Sequence, residues 1–554
     1  MIGLENFTQL ADICSHFLKT DDWKEARNEL SLIDEQILTR FKNEIENKEP
    51  EKFNKFKTIW EILISEGATR KWKGRSLSDH LYEYRQWLNI NYDNLIRPKL
   101  TPMPDHPRIK QLMSKHIHLL QHKATTRLRK FTAGRRGYAL RMYYETEKDT
   151  QGLLMKMGFN YILQPEKCVY TGPAIPTEIL WAMDLTPYFM TIQSLVRQND
   201  QRGSIEFLDA CTEAGIPQDT CSYPRVQVGA ALLDDFLDGI PCAATSNITC
   251  DGYQVCNPVL EKKLGVPFFY FDHSYRHKSK QGHVSYAKQT REFIKFLEKH
   301  TGAKFDIDKL REVCECSNRQ QELELECQEL NAGPRPPIPD DMLLLSALYT
   351  FAGPFAGTPE GETILRHQVE LARKAVAAGE GYVQNQKYRS ILWNPPPGSY
   401  TDFIPWIGNC WGVAICNDME AFGYFDFIDT SSEDAMFESL ANKTMSYVMS
   451  RHTRGDVTNY FEEGLFKMAE MCKPDFIIQA DHTGCHNVNA LTGIMDEECE
   501  RRGYKLLRLH QDLADVRVVN HQGVRRQVNE YMTNVMNATP LDPSLLVFDD
   551  DNEW

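Results

Sequence analysis

Short apolar runs, each closed by proline, glycine or aspartate and separated by stretches long enough for a helix, limit what this chain can fold into more than any other feature. Val266-Pro267-Phe268-Phe269-Tyr270-Phe271 and Pro474-Asp475-Phe476-Ile477-Ile478-Gln479-Ala480 are continuous rather than alternating. That is the pattern of strands covered on both faces of a parallel sheet. Residues 243–249, 389–393, 411–415 and 505–509 read as further strands, with helical stretches between them. Strands that alternate with helices imply doubly wound parallel sheets. The expected fold class is therefore α/β.

Ligands of such sheets collect beyond the carboxyl ends of the strands. Three cysteines are expected there, each read as sitting where a strand ends: Cys221 in Cys221-Ser222-Tyr223-Pro224-Arg225, Cys250 in Thr249-Cys250-Asp251-Gly252, and Cys485 in Asp481-His482-Thr483-Gly484-Cys485-His486. Three thiolates leave a metal one ligand short, so water or substrate can take the open position, and thiolates also hold iron-sulfur clusters. No C-x-x-C pair joins these cysteines, which speaks against a zinc ribbon or a ferredoxin-type site. The competing reading of each is a small buried hydrophobe. Residues 226–233 read as a helix that places Cys221 near a helix start, where backbone N–H groups favour anionic sulfur.

Other residues carry weaker signals. Glu178 falls in the first turn of a helix entered at Pro176, so stabilising the helix end competes with catalysis as its role. His482 and His486 bracket Cys485; His482 is the better candidate for a hydrogen bond to cluster or substrate, and neither is expected to ligate metal. Cys242, Cys256, Cys314, Cys316, Cys410 and Cys416 are weighed as additional ligands against burial as ordinary thiols. No GxxxxGK[ST], HExxH or GxSxG motif occurs, so the chain is not expected to hydrolyse ATP itself.

The order of segments resembles the catalytic subunits of the 2-hydroxyacyl-CoA dehydratase and benzoyl-CoA reductase family. The similarity runs from Ile175-Pro176-Thr177-Glu178-Ile179-Leu180-Trp181-Ala182, through the first two cysteines, to the Gly484-Cys485 segment and Leu509-His510-Gln511-Asp512. The resemblance implies two doubly wound α/β domains with a cluster between them, held by Cys221, Cys250 and Cys485 and expected as 4Fe-4S or larger. It implies that Pro176-Thr177-Glu178 lies near the acyl-CoA, with Glu178 and His482 as proton-handling groups. The partners it implies are an acyl-CoA substrate, a related second catalytic subunit and a separate ATP-hydrolysing iron-sulfur activator. The expected reaction is dehydration of a 2-hydroxyacyl-CoA through a ketyl radical. An aromatic acyl-CoA reductase and a non-catalytic electron-transfer or scaffold subunit remain as alternatives.

At 554 residues the chain exceeds one ordinary core. The expected organisation is a helical N-terminal extension over 1–165, a first α/β domain over 166–333, a helical linker region over 334–387 and a second α/β domain over 388–554. A net charge of −14 argues against nucleic acid or an anionic membrane as a partner of the whole molecule. A locally basic stretch from Lys123 to Arg141 is read as a solvated helix face or a phosphate-attracting patch. No apolar run approaches the ~20 residues that span a bilayer, and fifteen cysteines without short regular spacing fit a reducing compartment. The expected location is cytoplasmic.

Overall fold

The computed structural model describes residues 164–191, 193–194, 204–248, 250–274, 278–343, 355–394, 397, 403–422, 427–446 and 459–547, together with Met157, Asn160 and Tyr161. All fall within one compact unit, Gly137–Trp554. The expected helical extension, save its last few residues, and the basic stretch lie outside the described residues.

Two parallel sheets of four strands organise these residues. The first contains β1 (Cys168–Thr171), β2 (Thr186–Phe189), β3 (Ala243–Ser246) and β4 (Phe268–Phe271), in the order β2-β1-β3-β4. The second contains β5 (Tyr388–Trp393), β6 (Val413–Asp418), β7 (Phe476–His482) and β8 (Leu506–Gln511), in the order β6-β5-β7-β8. The two halves thus repeat one topology: the first strand lies inside, the second outside it, and the third crosses back to the other flank. That reversal opens a crevice at the carboxyl edge between β1 and β3, and another between β5 and β7.

In the first half the helices are α1 (Thr177–Ala182), α2 (Ile205–Glu213), α3 (Ser222–Leu232), α4 (Asp251–Leu264), α5 (Lys280–Thr301) and α6 (Ile307–Ala332). There follow α7 (Pro359–Ala377), α8 (Phe403–Trp411), α9 (Glu433–Met445), a π-helical segment Asn459–Phe466, α10 (Lys467–Cys472), α11 (His486–Ala490), α12 (Thr492–Arg502) and α13 (His521–Asn534). Among the described residues no helix is long and apolar enough to cross a membrane.

Two helices of the first half touch unusually closely. A Cβ placed on Gly229 of α3 would sit 2.0 Å from the carbonyl oxygen of Phe207 in α2, so only glycine permits this crossing. Helix α9, although it follows β6 in the chain, buries Met436, Phe437, Leu440, Ala441 and Met445 in the core built on the first sheet, beside Phe293 and Leu297 of α5. The second half thereby reaches into the first.

Several elements differ from the sequence expectation. Cys221 does not end a strand; it follows α2 and a tight turn in which Thr220 N–H donates to the Pro217 carbonyl at 3.2 Å, and it begins α3 directly. Strand β4 is an edge strand and is not covered on both faces: Tyr270 is 43% exposed and its hydroxyl reaches Glu261. The strongly charged stretch from residue 292 to 330, which reads as one helix, is two, because Gly302 closes α5 at φ +74° and the Asp306 carboxylate caps α6 by accepting from the N–H groups of Asp308 and Lys309. Trp411 belongs to α8, and Gly412 at φ +71° turns the chain into β6.

Candidate functional site

Each of the three cysteines occupies the residue immediately before a helix: Cys221 before α3, Cys250 before α4 and Cys485 before α11. At a helix start the first N–H groups lack intrahelical partners and face outward. Tyr223 N–H is such a donor, directed at the Cys221 sulfur. Cys221, Cys250 and Cys485 are part-exposed, whereas the other cysteines among the described residues are buried.

The fold brings the three together from both halves. Cys250 stands beyond β3 and Cys485 beyond β7, so each lies at the reversal crevice of its own sheet. Both are within electrostatic reach of Cys221. Two glycines line this approach, and Gly484 is required for it. A Cβ on Gly484 would lie 2.8 Å from Cys221 Cα and 3.1 Å from its nitrogen. One on Gly252 would lie 3.4 Å from Cys221 Cβ and 3.6 Å from Cys250 Sγ, filling the space beside both thiols. Gly484→Ala is expected to displace the Cys485 loop from the Cys221 backbone. The cost should be about 1–3 kcal/mol of stability, read as a lower thermal midpoint, accompanied by weaker retention of any group the three thiols bind.

A layer of polar groups supports the cysteines. His482, the last residue of β7, has Nε2 3.1 Å from Cys221 Sγ. Its Nδ1 accepts the Leu513 N–H at 3.2 Å and lies 3.6 Å from Asp512 Oδ2. The other carboxylate oxygen, Asp512 Oδ1, accepts from Ser222 Oγ at 2.6 Å, from Ala514 N–H at 3.0 Å and from Asp515 N–H at 2.8 Å. The first residue of α3 is thus tied to the loop after β8. On another side Gln227 donates to Tyr253 OH at 3.0 Å, and this hydroxyl lies 3.2 Å from Thr191 Oγ1. Tyr253 is itself within electrostatic reach of Cys250 and Cys221.

Enclosure pushes the Cys221 thiol well above its ordinary range, with Cys250 and Cys485 adding to the rise and the Tyr223 N–H opposing it. Burial holds the His482 imidazole below its usual range, against the pull of Asp512. Without a bound cation the site therefore favours neutral thiol and neutral imidazole.

Glu178 occupies the first turn of α1, beyond β1 at the other flank of the first crevice. Its Oε1 receives the Lys443 ammonium of α9 and, at 2.8 Å, Ser317 Oγ of α6. Lys443 also donates to Ser317 Oγ at 2.7 Å. Glu178 and Lys443 are each 2% exposed. Gly357 packs here: a Cβ on it would lie 3.5 Å from Glu178 Cγ. His486 opens α11 and is exposed.

Among the described residues no three His, Cys, Asp or Glu side chains stand as a set that would hold a metal ion as they are. The donor chemistry nevertheless fits a thiolate-held group. Three thiols converge, the first two open helices of 11 and 14 residues, and Gly252 places no side chain beside the Cys250 sulfur and the Cys221 Cβ. Cys242 and Cys256 are fully buried, Cys256 in the apolar core with Cys168, Cys211 and Leu260, and burial pushes the Cys242 thiol up to about 12. Cys314 is equally enclosed in the core of the first sheet.

A family model described as "2-hydroxyglutaryl-CoA dehydratase, D-component" matches residues 173–533. The chain belongs to this family. The match begins just after β1 and ends within α13, so it takes in all three cysteines, His482, Glu178 and Lys443. No curated protein matches the chain. Membership in the D-component family identifies the chain as a dehydratase-type catalytic component acting in acyl-CoA chemistry.

Sequence reasoning did not single out Ser222, Tyr253, Ser317 or Lys443. Ser222 had a signal, being the first residue of a helix next to a cysteine. Lys443 had none, since nothing in α9 shows that it meets α1, 265 residues away.

Proposed function

We propose that the chain is the iron-sulfur subunit of a radical acyl-CoA dehydratase, removing water from a 2-hydroxyacyl-CoA through a ketyl radical of the thioester. The observation that carries this reading is the meeting of Cys485 from the second half with Cys221 and Cys250 from the first, in a dehydratase-family chain. A cluster held there, most simply 4Fe-4S, supplies one-electron chemistry and an iron position open to a carbonyl or hydroxyl oxygen.

The chain's own residues do the remaining work. Cys221, Cys250 and Cys485 hold the cluster. The helix-start N–H groups of α3 and α4 offset the negative charge of the first two thiolates. Glu178 stands across the first crevice from Cys250 and is the proton-handling candidate of the substrate side. His482 has both ring nitrogens engaged, which favours a hydrogen bond to a ligand sulfur over proton transfer to substrate. A separate ATP-hydrolysing activator delivers the electron, and a related second subunit completes the enzyme.

Iron and acid-labile sulfide analysis of protein purified without oxygen tests the reading. About four irons per chain with the absorbance of a cubane cluster is the expected result. No iron after anaerobic reconstitution would overturn it.

A further inference from the structure

We propose that His482 is locked by the Leu513 backbone into one tautomer, with its proton on Nε2, so that it donates a hydrogen bond to the Cys221 sulfur and raises the reduction potential of the group held there. The inference rests on the proposed function and deepens it.

The lock follows from counting donors. A backbone N–H can only donate, so the 3.2 Å contact from Leu513 N to His482 Nδ1 requires a lone pair on Nδ1. A neutral imidazole with a bare Nδ1 carries its proton on Nε2. Nε2 lies 3.1 Å from Cys221 Sγ, within range of an N–H···S bond. The rival arrangement, a proton on Nδ1 shared with Asp512, would turn the bare Nε2 towards Cys221 as the base of a nucleophilic triad. Geometry disfavours it: Asp512 Oδ2 is 3.6 Å from Nδ1, beyond hydrogen-bond reach. The carboxylate is instead held by Ser222, Ala514 and Asp515 through its other oxygen. Asp512 thus fixes the loop that presents the Leu513 N–H and ties it to α3, whose start bears Cys221.

The consequence is electrostatic. Adding one electron to a thiolate-held cluster increases the negative charge on its sulfurs, and a hydrogen bond aimed at one of them stabilises the reduced form more than the oxidised form. The ring is buried at 3% exposure, so water does not replace the bond when it is removed. His482 acts through Cys221 and is a positioning residue.

The test has an arm that needs no cluster. In metal-free full-length protein labelled with 15N-histidine, the ring signals missing from His482→Leu should show a protonated Nε2 and an unprotonated Nδ1. A proton on Nδ1, or on both nitrogens, would overturn the lock. In reconstituted protein, a redox titration followed by electron paramagnetic resonance should give a more negative midpoint for His482→Leu than for wild type at unchanged iron content. His482→Gln, whose amide oxygen can accept from Leu513 while its NH2 donates to sulfur, should recover most of the shift. Equal midpoints in all three proteins would overturn the potential-setting role. A wild-type chain that takes up no iron would overturn the proposed function and that role together, while the nitrogen signals would still decide the tautomer.

Discussion

Cys250→Ser and Cys485→Ser are each expected to lower acyl-CoA turnover by more than about 100-fold, since loss of supporting residues around a metal site already costs 10–100-fold. Iron bound per chain should fall in parallel, and oxygen sensitivity should rise. Each thiol lies within electrostatic reach of Cys221, and Gly252 and Gly484 leave no side chain that could fill in for the missing sulfur. Cys410→Ala provides the contrast. Cys410 is fully buried among Trp406, Trp411 and Val413 in the core of the second sheet. Its loss should lower the thermal midpoint and leave iron per folded chain unchanged. Equal iron loss in all three variants would show that the three thiols are not special, and would remove the support for a cluster at this place.

Lys443→Met should destabilise the protein by about 3–5 kcal/mol, because it leaves the Glu178 carboxylate buried without its counter-charge. Both groups are 2% exposed, and among the described residues Ser317 Oγ would remain bonded to the carboxylate. Glu178→Gln should cost a similar amount by stranding the ammonium. The double variant Glu178→Gln/Lys443→Met should recover much of either loss, since the expensive element is a single buried charge rather than the missing pair. Thermal unfolding of the four proteins measures this. A small effect in Lys443→Met would mean that water reaches Glu178. Activity separates the two parts that Glu178 could play: if it handles a proton in the reaction, the double variant should be stable yet inactive.

These expectations rest on a site whose parts were legible in the sequence to different degrees. Three strands of the second half read nearly true: residues 389–393, 476–480 and 505–509 became Tyr388–Trp393, Phe476–His482 and Leu506–Gln511. β5 and β7 are inner strands, where burial on both faces leaves a continuous apolar run, whereas β8 lies at the edge and buries alternate residues. Strand β2, Thr186-Pro187-Tyr188-Phe189, carries a proline, which in sequence argues against a strand; Pro187 is tolerated because β2 lies at the sheet edge, where a missing N–H need not break a ladder on both sides. Strand β1 is only four residues long and sits directly after a short 3-10 turn. The helix break at Gly302 was written locally, in a glycine followed by a capping aspartate, and was overrun by the charged pattern on both sides.

The sequence by itself determined the α/β class, the three cysteines at helix starts or strand ends, and the family. Each depends on local features: apolar run length, glycine and proline punctuation, and the order of short motifs. Only the tertiary structure decided that Cys485 returns to Cys221, that α9 carries Lys443 from the second half to Glu178, and that the Leu513 N–H sets the tautomer of His482. Those pairings join residues 264, 265 and 31 positions apart. Chain distance carries no record of them. They are fixed by the crossing back of the third strand in each sheet and by apolar burial of α9 against α5, which place distant side chains at one edge.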